Sequence, residues 1–266
     1  MLERCGAGVI AALAGALMLL AAAQAQVALN SMLPVPYDSH RGADVAALVF
    51  GVLAGQRDVW LLDRRIWEAD GRRYLAVVAE AARPAGCGCA RPIRLALLSE
   101  EDGVLHVAAA ALLAGLRDDE ALSLKSPLLS GPLGDDGLFR LRATEYLFPL
   151  VVERGGGRRQ RARLTLFRIV GRLMMPVFER EILDDPTREN SQLSGMRARL
   201  RMGELDPGGL DGYADIRFTE TYFTRFAGDV VELDDRRTEI WVFGDDRFSL
   251  VQCERTGPMG YGPCVQ

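Results

Sequence analysis

The feature that most constrains this chain is a period-two alternation that returns between turn residues. Residues 214–222 set Ile216, Phe218 and Tyr222 against Asp215, Arg217, Thr219 and Thr221, and residues 164–170 set Leu164, Leu166 and Arg168 against Thr165, Phe167 and Ile169. Successive side chains of an extended strand point to opposite faces, so this pattern predicts half-buried strands, not helices. Residues 74–80 also read as a strand. Residues 238–243 and 248–253 flank Gly244-Asp245-Asp246, the signature of a hairpin. Another hairpin tip is expected at Gly155-Gly156-Gly157, and loops at 184–195 and 205–212.

The turns themselves recur. Asp70-Gly71, Asp102-Gly103, Asp136-Gly137, Gly171, Asp211-Gly212 and Asp246-Arg247 precede strand-like runs at intervals of about 34 residues. Tandem β-units would give such spacing. Asp-Gly is also the commonest hairpin turn, so a meander, a sandwich or a propeller gives it equally. The expected fold class is therefore mainly β: antiparallel hairpins or a meander in a sandwich or propeller-like arrangement. One short N-terminal helix is expected at 44–54 (DVAALVFGVLA), ended by Gly55; a buried strand is the alternative reading of so short an apolar run.

The first residues read as a leader. Arg4 precedes an apolar run over 6–23 that ends in Ala23-Gln24-Ala25, the basic, apolar and small-x-small order of a secretory signal peptide. Residues 1–25 are the expected signal peptide, with cleavage after Ala25. Retention as a membrane anchor is the competing reading, since the run can just span a bilayer. Residues 26–41, with Pro34 and Pro36, form a flexible lead-in, and 42–266 a single β-rich domain. The expected location is periplasmic or secreted, with no stable membrane span after cleavage.

Export changes the cysteine arithmetic. Without Cys5 four remain, and an oxidising compartment favours two disulfides. Cys253 and Cys264 flank a loop rich in Gly and Pro, which turns back easily, so this pair is favoured. Cys87 and Cys89 then pair with each other in a small strained ring, or the four make two longer cross-links. A strained ring would be redox-active.

Composition excludes several classes. With 49% hydrophobic and 26% charged residues the 266-residue chain is neither disordered nor a multi-span membrane protein. A net charge of −4 leaves no whole-chain basic footprint for nucleic acid. Lys125 is the only lysine among 32 basic residues, which fits GC-rich codon supply. The same scarcity removes a phosphate loop. His40 and His106 are the only histidines and no Gly-x-Ser-x-Gly occurs, so a catalytic triad and a His-rich zinc site are not expected.

Three constellations are left. Asp211-Gly212-Tyr213-Ala214-Asp215 resembles the end of the calcium loops in FG-GAP-type β-propeller repeats, and the resemblance implies Ca2+ held by Asp211 and Asp215. A hairpin turn whose Asp bonds the backbone is the plainer reading. Arg158, Arg159, Arg161 and Arg163 could bind anionic envelope material such as lipid headgroups, lipopolysaccharide phosphates or glycans, or be a solvated hairpin tip. Five Asp-Asp pairs, among them Asp184-Asp185 and Asp234-Asp235, could supply carboxylates for hydrolysis, but adjacent acids in turns point into water. Trp60, Trp67 and Trp241 could stack on sugars or simply pack.

Taken whole, the chain resembles a family of secreted or periplasmic Gram-negative proteins, on its exported β-rich pattern and on LTLFRIVGRLMMPVFE and GYADIRFTETYF. That resemblance names no activity. The expected function is a non-enzymatic periplasmic binding or interaction protein of the cell envelope, its partner an envelope protein or glycan and not nucleic acid. The alternatives are a calcium-stabilised propeller-like module and an envelope hydrolase using carboxylates.

Overall fold

The computed structural model describes residues 35–36, 42–51, 58–69, 72–82, 91–101, 104–113, 115–116, 119–124, 138–142, 144–156, 159–186, 193–203, 212–226, 229–257 and 262–264. The leader, most of the lead-in, Cys87, Cys89, Arg158 and Asp211 lie outside these residues.

The described elements run β1 (Val35–Pro36), α1 (Gly42–Phe50), β2 (Val59–Ala69), β3 (Arg72–Ala81), β4 (Ile93–Glu101), β5 (Val104–Leu113), β6 (Glu120–Ser123), β7 (Phe139–Arg142), β8 (Glu145–Gly156), β9 (Arg159–Val170), β10 (Leu173–Pro186), β11 (Leu193–Met202), β12 (Ile216–Phe226), β13 (Asp229–Gly244), β14 (Arg247–Thr256) and β15 (Gly262–Pro263). The described residues are mainly β, with one short helix. Strands β2 to β5 form one antiparallel meander and β8 to β15 a second. They are joined where β10 lies parallel to β5 at Leu173 and Ala110. β10 continues past β5 to pair with β11 at Leu183 and Asp184. The described strands form one hydrogen-bonded network whose ends, β2 and β15, do not meet, so it is not closed into a barrel. A propeller would divide it into separate sheets. Five of the six spaced turns fall between consecutive strands that pair antiparallel, β2–β3, β4–β5, β9–β10, β11–β12 and β13–β14, whereas β6 and β7 both pair with β8.

Helix α1 forms because its apolar run is enclosed on all sides. Val45, Ala46, Ala47, Leu48 and Val49 are all buried, so no polar face is needed. The helix stops one turn short of the expected Gly55. Gly51 takes a left-handed φ of 68° and its N–H donates to the Leu48 carbonyl at 3.1 Å. Arg94 on β4 secures that end: Nη1 donates to the Val49 carbonyl at 3.1 Å, and the guanidinium lies 5.0 Å from the centre of the Phe50 ring. Burial pushes the Arg94 pKa down.

Three cores follow from the two faces of the strands. Helix α1 covers Val77, Ala79, Ala96, Leu98 and Val107 on one face of β3 to β5. On the other face Ala76, Val78, Leu95 and Leu97 meet Phe148, Leu150 and Phe167 from β8 and β9. Residues 76–79 and 95–98 are therefore buried on both sides, which is why they read as continuous apolar runs. The third core lies between β7 and β14, with Leu164, Leu166, Phe178, Phe218, Phe243 and Phe248 at its centre. Phe178 meets Phe218, Trp241 and Phe248 edge to face, with ring centroids 6.0, 5.4 and 6.0 Å away.

Two expectations about turns are corrected. Asp184-Asp185 lies inside β10 and Asp234-Asp235 inside β13. Neither Asp185 nor Asp235 points into water: both are buried. Arginines on neighbouring strands neutralise these acids, so the strands continue through them. The β13–β14 hairpin is as expected: Asp245 and Asp246 form a two-residue turn with φ of 51° and 60°, and Phe243 pairs with Phe248.

Candidate functional site

An apolar cleft of about 430 Å3 lies between β5, β6, β8, β9 and β10. It opens beside the single β5–β10 pairing at Ala110 and Leu173. Alternation decides which side chains reach it. Thr165 and Phe167 point from β9 into the cleft, whereas Leu164 and Leu166 point into the third core. Leu150, Phe167 and Met174 form a buried floor. Leu112, Leu173 and Met175 stand at the mouth, 73%, 61% and 39% exposed. The polar groups are few: Glu179 accepts from Thr165 Oγ1 at 3.4 Å and pairs with Arg163 Nη1 at 3.3 Å.

Of the arginine run, Arg159, Arg161 and Arg163 are placed on β9, facing the acids of β10. Arg159 pairs with Asp184 at 3.3 Å, Arg161 with Asp184 at 3.4 Å and Glu181 at 3.8 Å, and Arg163 with Glu179. Their positive charge is balanced across the hairpin. A different arginine group was not singled out by sequence density. Arg197, Arg199 and Arg201 project from β11, Arg217 from β12 and Arg236 from β13 into one groove of about 360 Å3, with Thr219, Thr221 and Phe223 between them. The readable signal was Arg-x-Arg-x-Arg, which on a strand puts all three on one face.

On the opposite face of β12 and β13 two buried carboxylates are tied down. Glu239 accepts from Arg180 at 2.6 Å, Arg237 at 2.7 Å and the Trp241 indole at 2.9 Å. Glu220 lies 3.5 Å from Arg180 and 3.9 Å from Arg237, and accepts from the Tyr222 hydroxyl at 2.8 Å. Burial and that bond to Glu220 push the Tyr222 pKa up to about 12. Two carboxylates facing two guanidiniums make a neutral cluster that satisfies buried charge. Beside it Asp235 takes a two-pronged contact from Arg255 at 3.1 and 2.7 Å, which holds its carboxyl below the usual range.

The other predicted residues are scattered. Asp215 is exposed, just before β12, and desolvation by its surroundings pushes its carboxyl up. Among the described residues no three His, Cys, Asp or Glu side chains gather as a metal site would. His106 points outward from β5. Trp60 is exposed on the edge strand β2 and Trp241 packs in the third core. Cys253 and Cys264 are bonded, with Cα atoms 5.4 Å apart, and the Cys264 N–H donates to the Cys253 carbonyl at 3.2 Å. No helix among the described residues is long and apolar enough to cross a membrane.

Fold and surfaces together define a class: an open mixed sheet of two antiparallel meanders, covered on one face by a short helix, with an apolar cleft and a basic groove on its strands. A scan against protein-family models, a search of curated proteins and a search of solved structures found no match to the chain.

Proposed function

We propose that this is a non-enzymatic binding protein of the bacterial cell envelope, periplasmic or secreted, whose cleft between β5, β6 and β8–β10 takes an apolar ligand. The observation that carries this reading is the cleft: aliphatic and aromatic floor, exposed aliphatic mouth, and a rim whose charges are already paired. A concave site that is mostly apolar with a few placed polar groups is the usual form of a small-molecule pocket. The disulfide accords with an oxidising compartment. The guanidiniums and hydrogen bonds that hold Glu220 and Glu239 favour a structural role for them.

The test is a fluorescence titration with N-phenyl-1-naphthylamine, an uncharged apolar probe. Wild-type protein is expected to bind it saturably. Ala111→Trp, at a half-buried wall position of the cleft, is expected to remove binding while the melting temperature stays within a few degrees. No saturable binding to the wild type, or equal binding to both proteins, would overturn the proposal.

A further inference from the structure

The groove across β11, β12 and β13 carries a second, independent inference. In the other arginine clusters described above, each guanidinium has a carboxylate partner: Arg159, Arg161, Arg163, Arg180, Arg237 and Arg255 all do. In the groove only Arg197 has one within 4.0 Å, Asp185 at 3.9 Å, and its guanidinium lies 4.8 Å from the centre of the Phe223 ring. Among the described residues Arg199, Arg201, Arg217 and Arg236 have no carboxylate partner. Arg201 stands directly opposite Arg217 in the β11–β12 register, and Arg197 and Arg236 both flank Thr221. Like charges directly opposite on a sheet destabilise it. The whole chain is acidic, at −4, so general basicity does not produce this patch.

We propose that this groove is a binding site for a compact ligand bearing several phosphate groups. Strand geometry sets the guanidiniums on a grid, about 7 Å along a strand and about 5 Å between strands. Guanidinium forks match phosphate oxygens in pairs, and a phosphate monoester brings between one and two negative charges. Two or three phosphates therefore balance five arginines, whereas a carboxylate ligand would need about five acidic groups in the same space. The Thr219 and Thr221 hydroxyls between the arginines are further donors to phosphate oxygen. A groove of about 360 Å3 suits a small cluster of phosphates, not a polymer. The phosphates can arrive free in solution or on lipid headgroups, since the chemistry is the same.

The experiment uses the protein without its leader and two probes. Inorganic tripolyphosphate is titrated by calorimetry at 50 and 200 mM salt. Vesicles of phosphatidylcholine with or without phosphatidic acid are tested by co-sedimentation. Tripolyphosphate is expected to bind one to one, at least tenfold more weakly in Arg199→Gln and Arg217→Gln. The control Arg161→Gln, whose guanidinium is paired, is expected to bind within twofold of wild type. Sedimentation with phosphatidic acid vesicles, reversed by tripolyphosphate, assigns a headgroup source; tripolyphosphate binding alone assigns a free one. The proposal is overturned if neither probe binds, if Arg161→Gln weakens binding as much as the groove variants, or if polyglutamate binds as tightly as tripolyphosphate. Loss of fold is separable, because Arg201→Gln relieves repulsion with Arg217 and is expected to melt no lower than wild type at 50 mM salt without ligand.

Discussion

At the scale of single residues, Gly195 is the position on which the basic face depends. It lies in β11 opposite Phe223, and a Cβ there would sit 2.3 Å from Cζ of that ring and 2.8 Å from the Asp184 carbonyl oxygen. The ring could swing away, but the backbone oxygen of the neighbouring strand cannot do so without moving β10. Phe223 lies over glycine because no side chain occupies the place, and Arg197 in turn lies over Phe223. Gly195→Ala is therefore expected to cost roughly 1–3 kcal/mol by overpacking. It should also release Arg197 from its stack, seen as weaker tripolyphosphate binding than in the wild type. Equal stability in urea unfolding would contradict this account. Nothing local in DDPTRENSQLSG announces that glycine as a packing residue, since the cause is a ring 28 positions further along the chain. Asp245 was readable, because a turn between two alternating runs needs residues that tolerate positive φ.

At the scale of elements, the alternation pattern located strands well and partners poorly. Arg158 to Arg163 drew attention by density in the chain, yet each described member faces an acid on β10 that only the hairpin register brings opposite. Arg-x-Arg-x-Arg on β11 is less dense, and among the described residues only Arg197, beside Asp185 of β10, meets an acid, so Arg199 and Arg201 are the uncompensated ones. The Asp-Asp pairs misled for the same reason. Sequence places Asp235 among turn-like acids, whereas the β13–β14 register sets its strand against the one that carries Arg255. That contact lowers the Asp235 pKa in the folded state. A depressed carboxylate stabilises the fold above its unfolded pKa of about 3.9, and the contribution disappears as pH falls through the lower folded value. Asp235→Asn should therefore melt below wild type at pH 7 and pH 5, with the gap closing as pH falls below about 4. A gap that stayed constant down to pH 2 would show that the Arg255 contact contributes no charge-dependent stability.

At the scale of the whole molecule, the three cores are bound into one because two sets of strands are shared. Residues 76–79 and 95–98 serve the helix-covered core on one side and the central core on the other. β9 does the same further along, with Leu164 and Leu166 in the third core and Phe167 in the central one. The sequence showed β9 as an ordinary alternating strand, and its second buried face could not be seen because Thr165 and Arg163 are polar. They line the cleft, where Glu179 satisfies them. Since among the described residues backbone pairing between the two meanders is limited to the β5–β10 contact, their cohesion rests chiefly on the central core. Unfolding is then expected to be one transition, with far-ultraviolet circular dichroism and tryptophan fluorescence coincident. Truncating the shared core is the informative perturbation. Phe167→Ala should cost about 3–5 kcal/mol as a buried large-to-small change. It should also split the transition, because the β2–β5 layer keeps its helix and the β7–β14 layer keeps its aromatic cluster once the interface between them is emptied. If Phe167→Ala lowers the midpoint but leaves both probes coincident, the cooperativity resides in the strand pairing and the central core is only one contribution to it.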